Sequence, residues 1–278
     1  MMRKSAAAVF LACAACLPAR LVAQPAKVVD PPYTIVLRSR GGAVTPERSW
    51  DAQTGGGFIQ VTQVEPNVVM ALMRGAVVAG STHKGGSASM QFKLHQDFEI
   101  VPTRPTPRPP KLVLAAWAIG SLQSSLKDGG TAEHGPACAA VLCGPNTVLN
   151  LCIDPHSVGG GENLLVNDRV GPLEAVVAPG GFCLDQTFAL NAVQPKNHCH
   201  PGGAAADFDP DAKLDSRWNE ILKPFRAAPH KDFGFRVILR VVEDAPPPGV
   251  LIAPPVESLP PPKLEKKATP VLEPNAGG

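Results

Sequence analysis

Two segments of the same pattern constrain what this chain can fold into more than any other feature of it. Residues 92–100 read FKLHQDFEI and residues 182–190 read FCLDQTFAL, so Phe, Leu, Gln and Phe recur at identical spacing with an aliphatic residue at the end. Side chains of a strand alternate between its two faces. Phe92, Leu94, Gln96, Phe98 and Ile100 therefore share one face, and Phe182, Leu184, Gln186, Phe188 and Leu190 share the matching face of a second strand. Each segment follows a glycine pair, Gly85-Gly86 and Gly180-Gly181. Further upstream, Pro66-Asn67 followed by VVMAL matches Pro145-Asn146 followed by TVLNL.

Thirty-one prolines and 26 glycines punctuate the chain into many short elements. Punctuated strands in a repeated order predict an all-β fold of two tandem β-sandwich-like domains, at residues 27–101 and 111–245. Between them, residues 102–110 read PTRPTPRPP. Such a segment cannot donate ladder hydrogen bonds regularly, so it is expected to be an extended linker. The proline-rich tail, residues 246–278, has too few large apolar groups to offset the entropy of ordering it and is expected to be disordered.

The second domain carries one predicted helix near 210–223. Leu214, Trp218, Ile221, Leu222 and Phe225 fall on one side of it, Asp209 and Pro210 suit its start, and Pro224 suits its end. Its apolar stripe is expected to pack on the sheet that receives the following strand, where Phe235, Val237, Leu239 and Val241 alternate with polar residues.

The first residues read as a signal peptide, residues 1–23: Arg3 and Lys4, an apolar core from Ser5 to Leu17, then a processing region ending at Ala23. Export follows as an expectation, to the periplasm, the cell surface or the medium. Cys13, after Phe10-Leu11-Ala12, is a weaker candidate for lipidation. Removing the leader takes three basic residues and no acid, so 26 Lys and Arg fall to 23 against 24 Asp and Glu. A surface without net positive charge excludes nucleic acid as a partner. No later run of 18 apolar residues exists to form a membrane span.

Five cysteines remain after the leader: Cys138, Cys143, Cys152, Cys183 and Cys199. An odd number leaves at least one unpaired. If Gly144-Pro145-Asn146 is the turn of a hairpin, Cys138 faces Cys152, and the matching positions in the first copy, Ile59 and Met73, face each other. Directly opposed residues in a non-hydrogen-bonded pair are close enough for a disulfide. Cys138–Cys152 is the expected bridge, at a site read as buried, and Cys183–Cys199 the second candidate.

His198, Cys199 and His200 are the densest cluster of soft ligands and the candidate site for copper or zinc. No other cofactor is indicated. Asp207, Asp209, Asp211 and Asp215 resemble a calcium loop, yet the sixth position from Asp207 is Ala212 and the twelfth is Trp218, so they read as caps of the helix. No catalytic motif is present, and the catalytic residues are unknown; His134, His156 and His230 are separate histidines that could meet acids in space. Trp50, Trp117 and Trp218 offer sugar-stacking surfaces, although core packing is the commoner fate of tryptophan.

The expected function is that of a noncatalytic exported β protein, binding an envelope protein or polysaccharide or serving as a structural part of the envelope. The alternatives are a secreted hydrolase and a periplasmic metal-binding protein. Histidines gathered with an acid in a cleft favour the enzyme, and flat sheet faces with exposed edges favour the binding module.

Overall fold

Strands account for most of the described residues because alternation is the dominant pattern between the turns. The structure, a computed structural model, describes residues 30–80, 84–125, 129–196, 203–216 and 232–244. The described residues form thirteen strands: β1 (Tyr33–Trp50), β2 (Ala52–Glu65), β3 (Val68–Ala79), β4 (Gly86–Pro102), β5 (Pro110–Ser125), β6 (Thr131–His134), β7 (Ala137–Cys143), β8 (Asn146–Ile153), β9 (His156–Gly159), β10 (Asn163–Val176), β11 (Gly180–Gln194), β12 (Gly203–Asp207) and β13 (Gly234–Glu243). They form two sheets. Sheet A runs β1-β4-β11-β6-β9, with β7 and β8 attached beside β11. Sheet B runs β10-β5-β12-β3-β13, with β2 on β3 and a further pairing of β5 with β13.

Several strands are halves of one interrupted strand. β6 and β7 both pair with β11, while β9 and β8 pair with β6 and β7. The breaks fall at Gly135-Pro136 and Asp154-Pro155, where proline offers no N–H to a ladder. In sheet B, β12 and β13 lie end to end between β3 and β5.

The two repeated segments are β4 and β11, and they are each other's antiparallel neighbours: Phe92 opposes Phe188, Leu94 opposes Gln186, Gln96 opposes Leu184 and Phe98 opposes Phe182. Every residue assigned to the shared face is buried. FxLxQxF begins and ends with Phe, so antiparallel pairing sets ring on ring, at 5.6 Å for Phe92–Phe188 and 5.7 Å for Phe98–Phe182. Offset aromatic stacking adds about 0.5–1.5 kcal/mol per pair beyond area burial.

This pairing corrects the tandem arrangement. Strands from 27–101 and from 111–245 share both sheets and one core cluster, which joins Met73, Phe92 and Phe98 to Leu114, Phe188 and Val237. The matching turns Pro66-Asn67 and Gly144-Pro145 belong to hairpins in different sheets, β2–β3 in sheet B and β7–β8 in sheet A. A lone half would leave β4 without β11 and β3 without β13, exposing backbone edges that pair with each other. Residues 103–109 carry no strand and cross from sheet A to sheet B, held by the Thr103 N–H to the Pro32 carbonyl (2.9 Å) and Thr106 Oγ1 to Glu243 Oε1 (2.5 Å). The linker joins sheets, not domains.

The start of the expected helix is also corrected. Pro210 and Asp211 form a turn and residues 212–215 are not helical; residues 217–231 and the tail from 245 lie outside the described residues. Backbone N–H groups of Asp209 and Asp211 donate to Asp207 Oδ1 (3.2 Å) and Asp209 Oδ1 (3.1 Å), so these two acids cap successive turns ahead of Ser216. Leu214, the first residue of the apolar stripe, is nevertheless buried with Ala76, Val78 and Ala205, on the side of sheet B turned away from the main core.

Candidate functional site

Among the described residues, three places bring chemistry-bearing side chains together or into solvent. The first is at the strand breaks. His134 ends β6 and His156 begins β9, directly opposite it, because prolines interrupt both strands at the same level. Asp168 reaches the pair from β10 in the other sheet, with His156 Nε2 2.5 Å from Asp168 Oδ2. The two imidazole centroids are 5.2 Å apart, and Phe188 (6.2 Å) and Phe208 (5.4 Å) wall the His134 ring. His134 is completely buried, whereas His156 and Asp168 are half-buried. Burial holds the His134 pKa below its usual 6.5, opposed by the hydrogen bond to the Gly135 carbonyl.

The second place is the outer face of β4 and β11. One residue along from the buried Phe and Gln positions, His95 opposes Asp185 and Asp97 opposes Cys183. His95 Nδ1 lies 2.5 Å from Asp185 Oδ1 and its Nε2 3.2 Å from Asp97 Oδ1, while Ser39 Oγ donates to Asp97. The hydrogen bond to Asp185 is the main cause of a raised His95 pKa. The Cys183 thiol is pushed up by partial burial and then by the carboxylates of Asp185 and Asp97, which makes it a poor nucleophile.

The third place is a corner. Trp50 ends β1 where the chain crosses from sheet A to β2 of sheet B. Its residue is 85% exposed and adopts φ 46°, a left-handed backbone uncommon for a bulky side chain. Between the edge strands β1 and β2 a shallow groove of about 390 Å³ is lined by Arg40, Val44, Phe58 and Ile59, and Arg40 Nη2 donates across it to the Ile59 carbonyl. β2 bulges there; Gly57 has φ 101°, and a Cβ on it would sit 3.0 Å from the Met90 sulfur.

The hairpin register and the bond it implies are present: Cys138 opposes Cys152, Ile59 opposes Met73, and Cys138–Cys152 is a disulfide with Cα atoms 4.1 Å apart. The turn itself is two residues, Gly144-Pro145, and a bulge between Val141 and Leu142 restores the pairing expected from a three-residue turn. The bridge is not buried, however. Cys152 is exposed and Cys138 half-buried on the outer face, while Met73 in the other hairpin is fully buried. Cys143 and Cys183 are free thiols among the described residues, and Cys199, the expected partner of Cys183, lies outside them.

His198, Cys199, His200, His230 and Trp218 lie outside the described residues, and Trp117 is half-buried in β5. His134 and His156, read separately from sequence, come together. Asp168, His95, Asp97 and Asp185 were missed, although the palindromic form of FxLxQxF carried a signal. Once those strands are paired Phe on Phe, His95 must face Asp185. Among the described residues no helix is long and apolar enough to cross a membrane. No family model matches this chain, and no curated protein matches its sequence.

Proposed function

We propose that this chain is an exported, noncatalytic β protein that binds polysaccharide of the cell envelope through Trp50. The leader supports export. The observation that carries the reading is the placement of Trp50, a residue 85% exposed on a backbone of φ 46°. Bulky residues in sparsely populated conformations cost about 1–3 kcal/mol and cluster at binding sites. A large apolar ring turned outward at that cost gives up the burial that tryptophan ordinarily gains. An exposed indole offers a flat face for the C–H surface of a sugar ring, and the adjoining sheet supplies a rigid base.

Co-sedimentation of the mature chain with purified envelope polysaccharide tests this. The wild type is expected to pellet with the polymer, and Trp50→Ala to bind at least about tenfold more weakly, the order expected when a buried aromatic anchor of about 2 kcal/mol is lost. Unchanged circular dichroism would show the variant folded. Equal binding by both chains, capture of an envelope protein instead, or turnover of ester, peptide or glycoside substrates would each overturn the reading.

A further inference from the structure

We propose that His134, His156 and Asp168 form a binding site for a divalent transition-metal ion of the zinc–copper class. The inference is independent of Trp50 and its ligand. One donor atom from each of the three residues lies within 4.8 Å of the other two, across β6, β9 and β10. Two imidazoles and a carboxylate are a donor set suited to zinc or copper, with a fourth position left for solvent.

The second observation concerns the protonation of His134. Its Nδ1 lies 2.9 Å from the Gly135 carbonyl oxygen, which can only accept, so Nδ1 carries the hydrogen and Nε2 keeps its lone pair. That Nε2 is buried and has no hydrogen-bond partner among the described residues, in a residue with no solvent exposure. An unsatisfied buried acceptor is unfavourable, and a bound cation removes that cost. Metal-ligating histidines ordinarily donate their other ring N–H to a carbonyl or carboxylate, which fixes the ligating nitrogen. The Gly135 carbonyl does this for His134.

The surroundings suit a held ion. Phe188 and Phe208 pack against His134 and keep its ring in place, and the opposed pairing of His134 with His156 fixes the two imidazoles relative to each other. Asp168 belongs to sheet B while both histidines belong to sheet A. A metal would therefore tie the two sheets together at the strand breaks, and binding would be read directly as stability. The His156–Asp168 contact at 2.5 Å would open as both side chains turn to share the ion.

The test uses the full mature chain, stripped with chelator and titrated with zinc sulfate or copper sulfate, with calcium chloride as the hard-cation control. One equivalent of zinc or copper is expected by elemental analysis, with a rise in Tm of about 5–10 °C at a hundredfold excess over Kd. Calcium should give neither. His156→Gln and Asp168→Asn alter half-buried residues and should fold, and each is expected to weaken binding at least tenfold. His134→Gln should do the same if it folds. His198→Gln with His200→Gln, and Cys183→Ser, should leave stoichiometry and Tm shift unchanged. Absence of stoichiometric metal overturns the proposal, as does full binding by His156→Gln and Asp168→Asn, or loss of binding only in the His198, His200 or Cys183 variants.

Discussion

On the inner face of the β4–β11 pair, Phe92 stacks on Phe188 and Phe98 on Phe182; one residue along on the outer face, His95 meets Asp185 and Asp97 meets Cys183. Both faces share one hydrogen-bond ladder and one register. What differs is the medium. Inside, each Phe is at most 7% exposed and gains by leaving water, whereas outside, the His95 and Asp185 side chains remain about half exposed and their attraction is screened. The same alternation that hides the rings delivers the charges to solvent. Histidine shows the contrast most plainly: burial lowers the pKa of His134, and carboxylate partners raise that of His95.

The largest expected effect that would sharpen this contrast is on the inner face. Phe188 touches Phe92, His134, Phe208 and Phe235, so Phe188→Ala should cost about 3–5 kcal/mol in urea unfolding. A loss below about 1 kcal/mol would mean that the ring cluster is not the centre of the core. Next is the outer face. The Cys138–Cys152 bridge closes a short loop with a separation of 14 residues, so its reduction should cost about 3 kcal/mol, and the exposed Cys152 should let dithiothreitol act without denaturant. Resistance to reduction in the folded protein would contradict that exposure.

Two of the buried glutamines, Gln96 and Gln186, divide the inner face itself. Gln96 Nε2 donates to the carbonyls of Asp97 (2.8 Å) and Ser39 (3.1 Å), but neither amide atom of Gln186 has a partner among the described residues. Gln186→Met should raise stability by about 1 kcal/mol and Gln96→Met should lower it, as measured by the urea midpoint. The same sign for both would break the distinction between them.

Smaller effects come from pH. In the metal-free chain the folded pKa of His134 lies below the unfolded value near 6.5, so the unfolded state takes up the proton first. Stability from this group is complete above pH 6.5 and is lost as pH falls below it; the acid slope should shrink in His134→Phe. His95 has the opposite sign. Its contribution is present below pH 6.5 and is lost as pH rises through its raised pKa, and His95→Ala should change the midpoint by less than about 0.5 kcal/mol because the pair is exposed. A larger change would place His95 in a tighter network than its exposure implies.

Much of the local structure was legible before any fold was known. The buried faces of β4 and β11 and the Cys138–Cys152 register follow from alternation and turn position, which act over a few residues. The tandem domains failed because a repeated strand pattern states what each strand buries and not which strand it pairs with. FxLxQxF is satisfied equally by a copy in another module and by an antiparallel neighbour, and the structure uses the neighbour. The bridge was assigned to the interior because Ile59 and Met73 are apolar, but the two hairpins lie in different sheets and turn different faces to the core.

The candidate metal site shows the same division. His134 and His156 stand beside prolines in the sequence, which marks the strand breaks, but nothing local connects them with Asp168 on the other sheet. By itself the sequence determined the repeated strands, their inner faces and the hairpin disulfide, since period-two alternation and turn chemistry are set by neighbours along the chain. Only the tertiary structure decided that the halves interleave, that the disulfide faces water and that two histidines meet a carboxylate across the sandwich. Those outcomes depend on which apolar faces bury each other, a choice made between segments far apart in the chain.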